Sequence, residues 1–109
     1  MGITKSDLFT ESQNEMANIA KALAHPARVA ILEYLVKANA CINSDLVQEL
    51  GLAQATISQH LKELKSLGLI KGSVEGTSMS YCINSEVWTK VKLRFDEMFS
   101  GFPAGDGCC

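Results

Sequence analysis

Residues 44–67 read SDLVQELGLAQATISQHLKELKSL, and the place where this stretch breaks decides the fold. Residues 44–50 carry the signals of a short helix. Asn43 or Ser44 supplies a capping oxygen, and Asp45 suits the first turn. Ile42 and Val47 are spaced as a hydrophobic staple across an Asn43 cap. Gly51 ends the segment, because glycine takes the left-handed conformation that a helix stop requires. Only Gly51, Leu52 and Ala53 stand before the next helix, residues 54–67, which Gly68 closes. Two helices joined by so short a glycine turn are the signature of a helix-turn-helix, whose second helix enters the major groove of DNA.

The second helix is divided by face. Ile57, Leu61 and Leu64 recur on one side and belong in a core, while Ala55, Ser58, Gln59, Lys62 and Ser66 lie opposite. Glutamine pairs with adenine at two points, serine bonds to bases or phosphate, and lysine neutralises phosphate. An ordinary amphipathic helix with a solvated face has the same period. The glycine turn before the helix and the hairpin after it separate the two readings. Residues 69–74 and 77–83 are short runs of β-formers joined around Glu75-Gly76, a hairpin dipeptide. A helix-turn-helix followed by a hairpin is a winged arrangement.

Three more helices complete the chain. Residues 6–23 place Phe9, Met16, Ile19, Ala20 and Leu23 on one stripe. His25-Pro26 breaks that helix, and Pro26 suits the first position of the next, residues 26–38, with Ala27, Ala30, Ile31, Tyr34 and Leu35 on one face. Asn84 or Ser85 caps a last helix whose Trp88, Val91, Phe95, Met98, Phe99 and Phe102 form a long apolar stripe. The expected fold is mainly α with a β-hairpin: five helices and a two-stranded wing. Residues 1–100 form one winged helix-turn-helix domain, and residues 101–109 a flexible tail ending in Cys108-Cys109.

Composition sets the outer limits. The 109 residues are 47% hydrophobic and 20% charged, suited to one globular domain. No apolar run approaches a membrane span, and Met1 to Lys5 lack the basic and apolar regions of a signal peptide, so the expected location is cytoplasmic. The net charge of -2 confines any DNA-directed positive surface to a local patch. No phosphate-binding glycine loop, H-E-x-x-H pair or Cys/His nucleophile arrangement points to an enzyme. A winged helix serving only as a protein-interaction module is the alternative that the acidic balance favours.

The stretches LAHPAR at 23–28, LGLAQ at 50–54, ISQHL at 57–61 and LGLI at 67–70 resemble the ArsR family of winged-helix repressors, over roughly residues 16–99. The resemblance implies a homodimer paired through the first and last helices, bound to a double-stranded operator and released by an inducer. On that reading Phe9, Met16, Trp88, Val91, Phe95, Met98 and Phe99 serve dimerisation. Gln54, Thr56, Ser58, Gln59 and His60 fall on the family's recognition helix; His60, at the flank of its apolar face, suits a hydrogen-bonded structural role and DNA contact equally. Lys62 and Lys71 supply charge beside them. His25 reads as a local structural residue, and Arg28 suits an internal ion pair or a phosphate equally. Two departures stand out: Glu75 occupies a wing tip that is usually basic, and Ala53 a position where a hydroxyl cap is usual.

DNA binding requires no cofactor on this reading, but many members of the family sense metals. Cys41 lies where thiophilic-metal sensors often carry a cysteine pair, yet Asn43 takes the second position. The last helix has no histidine, which argues against a zinc-type site. Cys41, Cys108 and Cys109 are therefore the candidate thiolates for a soft ion or metalloid such as arsenite. The same thiols would also serve a redox switch, or be inert. Cys82, beside Tyr81, reads as strand packing.

Overall fold

The computed structural model describes residues 8–43, 50–75 and 78–103. Four helices and three strands lie among them: α1 (Glu11–Ala22), α2 (Pro26–Ala38), β1 (Ile42–Asn43), α3 (Gln54–Ser66), β2 (Ile70–Glu75), β3 (Ser78–Ile83) and α4 (Ser85–Ser100). Residues 44–49 of the expected short helix, with the staple residue Val47, and the tail cysteines lie outside the described residues.

The first helix starts later than its apolar stripe implies, and a capping box is the reason. The Thr10 hydroxyl accepts from the Gln13 N–H at 3.1 Å, and the Gln13 side chain accepts from the Thr10 N–H at 3.0 Å. At the next break His25 is extended, as a residue before proline should be. Its Nδ1 accepts from the Ala27 N–H at 3.1 Å, so this histidine caps α2 with Pro26 in the first turn. Asn39, in the left-handed region at φ 51°, ends α2.

The sheet has three strands in the order β1-β3-β2, all antiparallel, where a two-stranded wing was expected. Ile42 pairs with Tyr81 and Asn43 with Ser80 on one side of β3; Ile70 pairs with Ile83 and Lys71 with Cys82 on the other. A two-residue strand is too short to show a period, which is why the sequence does not announce β1. Gly72, opposite Tyr81, leaves room for its neighbours: a Cβ there would stand 3.1 Å from Met79 Cε and 3.2 Å from the Tyr81 ring.

The core gathers Ile31, Leu32 and Leu35 of α2, Ile42 of β1, Ile57, Leu61 and Leu64 of α3, and Leu69 and Ile70 at the start of β2. The turn out of α3 locks this packing. The Leu69 N–H donates to the Leu64 carbonyl at 3.2 Å and the Gly68 N–H to Lys65 at 2.9 Å, with Gly68 at φ 82°. That is a Schellman stop, and the residues it joins, Leu64 and Leu69, are both buried. Helix α4 has no buried residue; Val87, Trp88 and Val91 lean on the core edge beside Ile19 and Leu23 of the α1 end.

Candidate nucleic-acid interface

Three buried anchors orient α3. Ile57, Leu61 and Leu64 are at most 1% exposed, which fixes the rotation of the helix and turns its opposite side to solvent. On that side Gln54, Ala55, Thr56, Ser58, Gln59, Lys62, Lys65 and Ser66 are exposed. The turn before it has Gly51 at φ +74°. Ala53 takes the N-cap position without a side-chain hydrogen bond, so no side-chain oxygen of the cap competes for the first-turn N–H groups. Lys71, on β2, is also exposed. Cations thus stand along α3 and at the base of the wing of a chain whose net charge is -2.

His60 departs from the expected contact set. It is buried at 7% exposure, so its ring is not available to a groove. Position 60 lies one turn after Ile57 and one before Leu64, at the flank of the core stripe where the sequence places it, and the structure buries that flank. Its Nδ1 accepts from Arg28 Nε at 3.2 Å. The same guanidinium forms an ion pair with Glu63 and donates to the Ala22 carbonyl at 3.4 Å. Arg28 is therefore the internal partner that ties α2 to α3. Gln59 reaches this network from outside, its Nε2 donating to Glu63 at 3.3 Å.

Burial, then the nearby His25 and the Arg28 charge, lower the His60 pKa below its ordinary 6.5. The ring is accordingly neutral, with its proton on Nε2, an atom without a partner among the described residues. The unfolded chain binds this proton at higher pH than the folded one. The His60 contribution is thus complete above about pH 6.5 and declines as pH falls below that value. Thermal unfolding followed between pH 7.5 and 5.5 should show the midpoint dropping on acidification. His60→Gln, which still accepts from Arg28, should flatten that drop; an unaltered profile would mean that another group controls it.

The cysteines are not placed as the sequence suggested. Cys41 forms a disulfide with Cys82, with Cα atoms 4.2 Å apart. The register explains the pairing: Ile42 faces Tyr81 and Asn43 faces Ser80, so the residue before β1 falls opposite Cys82. Cys82 is thus a bonding partner rather than a packing residue, and Cys41 is not a free thiolate. Among the described residues no group of three or more His, Cys, Asp or Glu could hold a metal ion. A resident thiophilic ion at Cys41 does not fit this arrangement.

The apolar stripe of α4 divides. Trp88 and Val91 are half-buried against the core edge, so intramolecular packing uses much of their surface. Phe95 stacks on Phe99 at 6.1 Å between ring centres. Leu93 at 57%, Met98 at 52%, Phe99 at 67% and Phe102 at 69% are left in solvent, together with Leu8 and Phe9 before α1. Met16 is half-buried and lines an open groove of 740 Å³ between α1 and α4, which an Arg94–Glu15 ion pair also bridges. Leu8 and Leu93 are exposed apolar residues outside the expected stripes, whose 3.6-residue period does not reach them.

Comparison with known proteins agrees with this geometry. Residues 25–71 match the family described as bacterial regulatory protein, arsR family. An uncharacterised HTH-type transcriptional regulator of Methanocaldococcus jannaschii is 34% identical over 84 residues, 76% of this chain and 94% of that protein. One from Mycobacterium tuberculosis is 37% identical over 67 residues, 62% of this chain, and the match spans 59% of that protein's length. Among solved structures, the homodimeric winged helix-turn-helix DNA-binding domain of a possible ArsR-family regulator of Mycobacterium bovis superposes with a TM-score of 0.62 at 26% identity. The superposition covers 94% of this chain and 95% of that one. Such relatives are transcription regulators and not enzymes. No helix among the described residues is long and apolar enough to cross a membrane.

Proposed function

Because this chain belongs to the arsR family of bacterial regulatory proteins, whose members regulate transcription through DNA, we propose that it is a homodimeric repressor holding a two-fold symmetric operator until an inducer lowers its affinity. One observation carries the reading: the outer side of α3 is exposed and, apart from Ala55, polar, while its inner side is locked in the core. Ser58 and Gln59 read base edges, and Gln54 and Thr56 stand at the start of the helix, where uncapped N–H groups suit a phosphate oxygen. Lys62 and Lys71 supply the phosphate-directed charge.

Dimerisation through α1 and α4 accounts for the exposed Phe9, Met98 and Phe99, large apolar side chains that a second copy would cover. Pairing also sets two copies of α3 against half-sites about one helical turn apart. Phe99→Glu should therefore give a monomer in sedimentation velocity and weaken operator binding about 100-fold, because the second half-site no longer adds its avidity. A dimer of unchanged stability would remove α4 from the interface.

The test of the whole reading is selection of duplexes from a random pool, followed by affinity measurements at two salt concentrations. The expected result is a palindromic site whose affinity falls steeply with salt. Failure to enrich any duplex would instead favour the interaction-module alternative that the -2 net charge allows.

A further inference from the structure

We propose that Cys41 and Cys82 form a thiol oxidation site for hydrogen peroxide and other small hydroperoxides, and that closing their disulfide raises the affinity for duplex DNA. The second part rests on the DNA-binding reading above; the first does not.

The pair is built for the reaction by backbone register. Strand β1 lays Cys41 directly across from Cys82 on β3, so the second sulfur already stands beside the first when oxidation begins. Access is unequal: Cys41 is exposed and Cys82 half-buried. The oxidant therefore meets Cys41 first. Neither residue lines the groove between α1 and α4 or the hollow between α1, α2 and α3. An exposed sulfur needs no cavity to meet a small oxidant, which is why such an oxidant is assigned. No third ligand stands nearby among the described residues to make the pair an ion site.

The chemistry balances in two steps. The Cys41 thiolate attacks one peroxide oxygen; a sulfur–oxygen bond forms, the oxygen–oxygen bond breaks, and the other oxygen leaves as water or an alcohol after protonation. The Cys82 thiolate then attacks the Cys41 sulfur; the disulfide forms and hydroxide leaves, taking the remaining proton to become water. Two thiols are oxidised by two electrons and one peroxide is reduced. A small dithiol reverses the change by exchange, becoming a disulfide itself.

The link spans a sequence separation of 41 residues, and the enclosed segment holds α3, β2 and Lys71. Without it, β1 keeps the Ile42 and Asn43 pairings and the burial of Ile42, a short attachment for the strand that leads into the turn and α3. Lys71 is itself the cross-strand partner of Cys82 on β2. Closing the disulfide therefore fixes the reading helix and the base of the wing to a common strand, and less ordering remains to be done when DNA binds.

The full chain, reduced and then treated with hydrogen peroxide, tests both parts. Non-reducing peptide mapping should recover Cys41 joined to Cys82. The oxidised form should melt about 10 °C or more above the form kept in dithiothreitol and bind a selected duplex about 5-fold more tightly. Cys82→Ser should bind alike under both conditions, and the wild-type comparison in dithiothreitol stands even if that variant folds poorly. Linkage of Cys41 to Cys108 or Cys109 would overturn the site, as would protection of Cys41 and Cys82 by arsenite with no peroxide-driven link. Equal duplex affinity in the two forms would overturn the coupling. A mapped link in a protein that binds no duplex in either form would sustain the oxidation site and reject the coupling together with the DNA-binding reading.

Discussion

Replacing Ser58 and Gln59 together by alanine should weaken binding to the selected operator by about 100-fold or more, with little loss of fold stability. A bidentate glutamine–adenine contact discriminates by roughly 1–3 kcal/mol, a serine hydrogen bond adds about 1 kcal/mol, and a dimer makes each contact twice. Both side chains are exposed, so their removal opens no cavity. The only described bond lost inside the protein is the 3.3 Å contact from Gln59 to Glu63, and Glu63 keeps its ion pair with Arg28. No charge is removed, so the salt dependence of binding should keep its slope while the preference for the operator over unrelated duplex collapses. Lys62→Ala should do the reverse, lowering the slope by about 1 per subunit and weakening all duplexes alike. A double variant that binds its operator within twofold of the parent would show that another surface reads the DNA.

The division of α3 into a buried and an exposed side was legible because a helix core stripe repeats in the sequence itself. Ile57, Leu61 and Leu64 declare it, and the residues opposite follow by elimination. His60 sits at the flank of that stripe, where a structural role and DNA contact were equally open; the Arg28 partner 32 positions earlier decides for burial. Local chemistry also marked the helix breaks: Pro26, Gly68 and the Asn84 cap act where the sequence places them. What escaped was set by pairing between distant segments. Strand β1 is defined by its neighbour β3 and has no period of its own. The Cys41–Cys82 bond depends on that register, so the same blind spot concealed both. The stripe of α4 was visible, but its division between core and solvent was not, since Trp88 and Phe99 carry the same apolar signal and differ only in what α1 and the sheet place beside them.

Leu64→Ala should cost the fold more than any change on the reading face. Leu64 is 0% exposed among core residues of α2, α3 and β2, and its carbonyl accepts the N–H of Leu69 in the turn that ends α3. Deleting three carbons at so enclosed a site removes their burial and leaves a cavity, together about 3–5 kcal/mol. In a domain of this size that corresponds to a midpoint lowered by roughly 15 °C or more, measured with the disulfide kept in one state and at fixed protein concentration. Leu64→Met, which conserves volume, should cost under about 1.5 kcal/mol. The two classes of variant then separate orientation from recognition. At a temperature where Leu64→Ala is still folded, its Ser58 and Gln59 are intact and operator affinity should lie within a few-fold of the parent. Near its midpoint, added operator should raise the melting temperature, because DNA binds only the folded chain. The Ser58/Gln59 variant should show the converse, a near-parental midpoint that operator fails to raise. A midpoint for Leu64→Ala within about 5 °C of the parent would mean that α3 is not held by this core, and its exposed face would then have no fixed direction in which to meet a groove.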